Sequence, residues 1–237
     1  MSRPAPGPDV TWAYGDHSDQ IADIYLPRGA RRGLPIVLVH GGYWRPDYDR
    51  CHLRPMAFAL AEAGRLVVSL EFRRIPGNPD ATVDDLTAAL RALPGLLASH
   101  DAHRFVLVGH SAGGHLALLV SHHSLAPDLA GSVALAPVAD LLLAEQWALD
   151  DGAVTSFLGG PARDRPDLDP TRLPRPDVPV VVLHGADDSL VPLSVSRSFV
   201  DATGVALQVL PDCGHFELID PASQTWPAVS AAFDLAG

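Results

Sequence analysis

Cysteine is nearly absent: Cys51 and Cys213 are the two in a chain of 237 residues. Two are too few for a disulfide framework, and neither has neighbours at metal-ligand spacing, so both are expected as free thiols with no metal site. A basic cluster is also missing. Lys+Arg number 17 against 28 Asp+Glu, for a formal net charge of -11. With nothing to neutralise phosphates, neither nucleic acid nor an anionic membrane surface is expected as a partner. The start, Met1 to Pro8, lacks the apolar core of a signal peptide. No later stretch reaches the roughly 18 consecutive apolar residues of a membrane span. The expected location is therefore cytoplasmic. No linker and no internal repeat divides the chain.

What is present is a regular run of apolar segments in a chain that is 47% hydrophobic. That suffices for a large core, and one domain over 1–237 is expected. Val10–Tyr14 and Ile21–Leu26 read as an antiparallel pair of strands. Pro35–Val39 is continuously apolar, as a strand buried on both faces of a parallel sheet is, and Leu66–Leu70, 104–108, Gly131–Ala136, Val178–Leu183 and Val205–Leu210 read as the strands that follow it. Helices are expected between them at Pro55–Ala63, Thr82–Leu97, after Ser111, at Leu193–Ala202 and at Gln224–Leu235. In Thr82–Leu97 the residues Val83, Leu86, Leu90, Leu93 and Leu97 form one core-facing stripe that Pro94 should kink or end. The alternation implies an α/β fold, a mostly parallel central sheet with helices on both faces. Residues 137–176 form a long excursion rich in Pro, Asp and Gly with one helical piece, Leu141–Leu149. A segment of that length reads as a lid, a substrate wall or a plain surface insertion.

Ligands of such sheets bind beyond the carboxyl ends of the strands, so chemistry is sought there. After strand 104–108 comes Gly109-His110-Ser111-Ala112-Gly113. Glycine two residues before and two after a serine is what a strained strand-to-helix turn needs to lift the hydroxyl clear of the backbone. The spacing alone carries little; the neighbouring strand ends must support it. A serine nucleophile requires a histidine base, itself oriented by a carboxylate. Of eleven histidines, His40, His110, His184 and His215 lie at strand ends, while His17, His52, His100, His103, His122 and His123 read as surface residues. His110 adjoins the serine and is expected beneath the site, and His115 is expected as a packed core residue. His40 and His184 precede glycines and are expected to shape loops.

His215, in the loop between the last strand and last helix, remains as the base. Asp187 and Asp188, after the penultimate strand, supply the acid in the chain order serine, acid, histidine found in α/β hydrolases; either could serve. Ala112 and the Gly41, Gly42, Tyr43 loop offer N–H groups for an oxyanion. Tyr43, Trp44, Phe72 and Phe216 at strand ends, and Trp147 and Phe157 in the excursion, could line an apolar pocket.

With these pieces placed, the chain resembles the α/β-hydrolase superfamily from about residue 20 onward. His40-Gly-Gly-Tyr-Trp44 with Gly109-His-Ser-Ala-Gly-Gly-His-Leu116 is similar to the kynurenine formamidase (arylformamidase) group and the small bacterial esterases near it. The related pattern Gly, two residues, Asp, two residues, Val-Pro lands on Asp188, and the Gly-His-Phe of the histidine loop lands on His215 and Phe216. Glu71-Phe72-Arg73-Arg74 departs from the Tyr-Arg-Leu crest of those groups. The resemblance implies a cofactor-independent serine hydrolase with Ser111, Asp188 and His215 as triad, Gly41, Gly42, Tyr43 and Ala112 at the oxyanion, and Trp44, Phe72 and Phe216 at the substrate. The expected partner is a small acyl compound, first an aryl formamide such as N-formylkynurenine and second a short-chain ester; a homodimer is compatible with the sequence. A non-catalytic binding protein, an acyltransferase or a peptidase on the same fold are the rivals. Cys213, two residues before His215, would make activity sensitive to thiol reagents.

Overall fold

The computed structural model describes residues 4–123, 126 and 128–236. The first three residues of the leading segment, and the side chains of His122 and His123, lie outside the described residues.

Eight strands make one sheet: β1 (Val10–Ala13), β2 (Ile21–Tyr25), β3 (Ile36–Val39), β4 (Val67–Leu70), β5 (Phe105–His110), β6 (Leu129–Leu135), β7 (Val180–Gly185) and β8 (Ala206–Leu210). Their spatial order is β1-β2-β4-β3-β5-β6-β7-β8. β1 pairs β2 and β2 pairs β4 antiparallel; from β4 to β8 every pairing is parallel. The runs that become β3 to β7 form the inner parallel strands, because both their faces are covered. The strand expected at Val205–Leu210 is instead the outer strand β8, with Ala206, Gln208 and Val209 exposed because no further strand among the described residues covers that edge. The helices are α1 (Arg54–Glu62), α2 (Pro79–Ala98), α3 (Ala112–His123), α4 (Leu141–Gln146), α5 (Leu149–Leu158), α6 (Leu193–Thr203) and α7 (Trp226–Leu235). Leu86, Leu90, Leu93 and Leu97 of α2 and Leu116 and Val120 of α3 pack with Val37, Val39 and Leu107 on one face. Met56 and Leu60 of α1 and Val229 and Phe233 of α7 pack with Ile36, Leu38, Val106 and Val108 on the other. This is the α/β-hydrolase architecture. No helix among the described residues is long and apolar enough to cross a membrane.

One local expectation is narrowed and another corrected. Of the two outcomes expected at Pro94, a kink or an end, the end is not found, as the helix runs on to Ala98. The missing N–H of Pro94 would have bonded to Leu90, one turn before the end, and the fully buried Leu90, Leu93 and Leu97 hold that turn against the sheet. The piece expected as Leu141–Leu149 stops at Gln146, and a second helix, α5, follows. Ala148, Asp150, Asp151 and Gly152 have φ of 48°, 48°, 53° and 78°. Such left-handed residues carry no helical periodicity and disfavour non-glycine side chains, which is why the sequence pattern hides α5. The excursion is packed down: Leu141, Val154, Phe157 and Leu168 join the main core, and the His115 Nε2–H donates to the Leu168 carbonyl at 2.7 Å.

Candidate active site

At the carboxyl end of β5 the backbone turns so sharply that Ser111 adopts φ 56°. A Cβ on Gly109 would lie 2.1 Å from the Gly113 carbonyl oxygen, and one on Gly113 would lie 2.1 Å from the Val39 carbonyl oxygen. Both contacts are to backbone that cannot step aside, so the spacing in Gly109-x-Ser111-x-Gly113 is sterically required. The Ser111 N–H is tied to the Leu135 carbonyl at 2.8 Å. Ser111 thus sits at the N-terminus of α3, whose first N–H groups, that of Ala112 among them, have no acceptor within the helix.

The β7 and β8 loops bring the acid and the base together. The His215 Nδ1–H donates to Asp188 Oδ2 at 2.6 Å. The N–H groups of Leu190 and Val191 each reach Asp188 Oδ1 at 2.9 Å, and His184 Nε2 stands 3.4 Å from Oδ2. The Asp188 side chain is fully enclosed. Burial raises its pKa, but the hydrogen bonds from His184, His215 and the Val191 N–H outweigh it and hold the carboxyl well below the usual carboxylate range. Asp187 is exposed; Asp188 is the aspartate on His215. His184 shapes this loop, donating Nε2–H to the Val191 carbonyl at 2.8 Å and accepting from the Ser196 hydroxyl at 2.7 Å.

The loop after β3 approaches the serine closely. A Cβ on Gly41 would meet Ser111 Cβ at 2.9 Å and the His110 carbonyl oxygen at 2.8 Å. Gly42, Tyr43 and Trp44 then have φ of 102°, 49° and 55°. His40, fully buried, anchors the loop by donating Nδ1–H to the Gly41 carbonyl at 2.8 Å, and Arg74 Nη1 donates to its Nε2 at 3.1 Å. Burial pushes the imidazole pKa down to about 3, helped by the Arg74 charge. His40 is therefore neutral, and the 2.9 Å approach of Glu71 Oε1 to its Nε2 is bridged by the Arg74 guanidinium, which also bonds Glu71. Glu71 further receives the Arg50 backbone N–H at 3.1 Å and the Arg50 guanidinium at 3.4 Å. The Tyr43 hydroxyl donates to the Leu190 carbonyl at 2.8 Å, joining this loop to that of Asp188.

A cavity of about 440 Å³ opens between these loops, with Ser111, His110, His215, Gly42, Tyr43 and Phe216 on its wall. His110 lies beneath His215, donating Nε2–H to the His215 carbonyl at 3.1 Å with ring centres 4.5 Å apart. Burial drives its pKa well below the ordinary value. Phe216 is 51% exposed. Two aromatic expectations are corrected: Trp44 is stacked on Phe157 at 4.5 Å and Phe72 on His40 at 4.4 Å. Both are buried in the core rather than on the cavity wall, because the positive-φ turn rotates Trp44 inward and β4 ends with Phe72 over His40. Trp147 is exposed away from the cavity. The expectation for Cys213 is also overturned, since its thiol is fully buried and burial raises its pKa.

Sequence reasoning missed several residues of the wall. Tyr48, Asp150 and Glu217 line it, and so does His52, which the sequence pattern places on the surface. Burial, and next the neighbouring His40, push the His52 pKa down to about 4. Among the described residues no group of three or more His, Cys, Asp or Glu converges in a way that could hold a metal ion.

Comparison with known proteins gives related results by three routes. The BD-FAE family model matches residues 22–202. Kynurenine formamidase of Salmo salar is 25% identical over 87% of this chain and 74% of its own length. Isoprenylcysteine alpha-carbonyl methylesterase of Arabidopsis thaliana is 24% identical over 80% of this chain, which spans about half of that protein, 51%. Among solved structures, an acetyl ester-xyloside bifunctional hydrolase from Caldicellulosiruptor lactoaceticus superposes with a TM-score of 0.77 at 20% identity, covering 97% of this chain and 96% of that one.

Proposed function

The chain belongs to the BD-FAE family, and on that footing we propose that it is a cofactor-independent serine hydrolase cleaving a small acyl ester or amide. The observation that carries this reading is the buried Asp188–His215 pair, 2.6 Å apart, on the cavity that Ser111 lines at the strained turn. Ser111 Oγ attacks the acyl carbonyl and forms the acyl-enzyme. His215, its Nδ1–H held by Asp188, keeps Nε2 as the lone pair that takes the serine proton and returns it to the leaving group. The N–H groups of Ala112, Gly42 and Tyr43 receive the oxyanion. Each such donor is typically worth on the order of 100-fold to 1,000-fold in turnover. Water, activated by the same His215, then releases the acid.

The likeness to kynurenine formamidase supports an aryl formamide as substrate, and the faces of Tyr48 and Phe216 suit an aromatic ring. A specific observation favours a second reading, a short-chain ester. N-formylkynurenine carries a carboxylate, and the cavity wall has Asp150, Glu217 and Asp220 with neither Lys nor Arg among its lining residues. The test is kcat/KM for N-formylkynurenine, formanilide and p-nitrophenyl acetate, with Ser111→Ala as blank. Turnover above about 10⁴ M⁻¹s⁻¹ on one of the three supports the hydrolase, and the ranking chooses the substrate. Equal rates in wild type and Ser111→Ala for all three would reject it.

A further inference from the structure

His52 is an imidazole on the cavity wall to which the hydrolase reading assigns no task. It projects from the one-turn 3-10 helix Arg50–Leu53 that leads into α1, and it shares the wall with Ser111, His110 and His215. Its ring is fixed from three sides. Nδ1–H donates to the Asp49 carbonyl at 2.8 Å, the His40 ring meets it edge-on at 5.7 Å, and the His110 ring does so at 6.4 Å. With Nδ1 carrying the proton, Nε2 holds a lone pair in the neutral ring. That nitrogen has no hydrogen-bond partner among the described residues and is not sealed from solvent.

The rest of the wall has the same character. Asp150 and Glu217 present carboxylates, which accept only, that of Asp150 already holding Arg45 Nε at 2.5 Å. The Tyr43 hydroxyl has already given its proton to the Leu190 carbonyl. No Lys, Arg, Asn or Gln is among the lining residues. Beside the Tyr48 hydroxyl and the backbone N–H groups near Ser111 the cavity offers mainly acceptors, and a ligand that fills it without a donor for His52 Nε2 leaves that nitrogen unpaired, which costs binding.

We propose that His52 is a specificity-determining residue, its Nε2 accepting a hydrogen bond from a hydroxyl or N–H of acyl substrates that carry no net negative charge. The inference rests on the serine-hydrolase reading and deepens it by naming the substrate class. A single such hydrogen bond discriminates by about threefold to tenfold.

The experiment compares kcat/KM for 2,3-dihydroxypropyl acetate with that for its 2,3-dimethoxy counterpart, which keeps the ester and removes the donors. Wild type is expected to favour the dihydroxy ester by about threefold to tenfold. His52→Phe, which keeps a ring of similar shape, should bring the ratio close to one. His52→Gln, whose amide oxygen can occupy the place of Nε2, should recover much of it, and a role in packing alone would give no such recovery. Melting temperatures check that the variants are folded. An equal ratio in wild type and folded His52→Phe overturns the proposal, and so does a wild-type ratio of one or less, which needs no variant. Fluorophosphonate labelling of Ser111 and turnover of p-nitrophenyl acetate are read in parallel. If both fail, the hydrolase reading itself falls and takes the inference with it; if both succeed while the ratio stays at one, the assignment of His52 alone falls.

Discussion

Replacing Glu71 by Gln tests how the loop after β3 is held. Glu71 is 3% exposed and lies between Arg74, 7% exposed, and Arg50, 14% exposed. Arg50 has a second partner in the buried Asp23, at 2.9 Å. Arg74 does not: without the Glu71 charge it keeps the Phe72 carbonyl at 2.8 Å and the neutral His40 ring. Removing one partner of a buried ion pair costs about 3–5 kcal/mol, because the other charge stays buried and uncompensated. The Gln carbonyl still accepts one hydrogen bond, so the lower end, about 3 kcal/mol, applies. For a chain of this size that is a fall in Tm of about 6–12 °C. The same change alters the contact that Glu71 Oε1 makes with His40 Nε2 at 2.9 Å, and the Nδ1–H of that ring fixes the Gly41 carbonyl beside Ser111. A displacement near 1 Å at a positioning group can cost about 100-fold in rate. The assay pairs thermal unfolding with kcat/KM on p-nitrophenyl acetate. A Tm within about 2 °C of wild type together with an unchanged rate would refute the reasoning.

Gly113→Ala places a methyl 2.1 Å from the Val39 carbonyl and 2.5 Å from that of His40. It is expected to destabilise the fold by about 1–3 kcal/mol and to lower kcat, as chemical denaturation and steady-state kinetics would show; wild-type values for both would count against the steric account of the turn. For Asp188, whose folded pKa is depressed, the linked stability is fully present above the unfolded value of about 3.9 and is lost as pH falls below it. The difference in unfolding free energy between wild type and Asp188→Asn should therefore shrink as pH is lowered from about 5 to about 2. A pH-independent difference would contradict the hydrogen-bonded carboxylate.

The architecture could be read from the sequence because its signals are local. Pro35–Val39 announces a doubly covered strand by continuous apolarity, and the glycines around Ser111 encode a turn that the structure shows to be sterically obligatory. The chain order of Ser111, Asp188 and His215 was legible for the same reason, as each follows a strand. Where side chains point was not legible. Trp44 and Phe72 lie in the loops after β3 and β4, and a turn at positive φ or a stacking partner sends them into the core. His52 lies in Asp49-Arg-Cys-His, a stretch with no period at all. Only the closing of the β3, β5 and β8 loops over it makes it part of a cavity. The left-handed residues of α5 are invisible to periodicity, yet they deliver Asp150 to the wall, where Arg45 Nε holds its carboxylate at 2.5 Å.

The central claim is that Ser111 is a nucleophile activated by His215. Its most direct measurement is mass-spectrometric mapping of the site modified by a fluorophosphonate in wild type, in His215→Ala and in heat-unfolded protein. The account predicts stoichiometric modification of the peptide bearing Ser111 in the native wild type, at least about 100-fold slower modification in His215→Ala, and none after unfolding. Native protein that stays unmodified, or that is modified equally fast without His215, would contradict it.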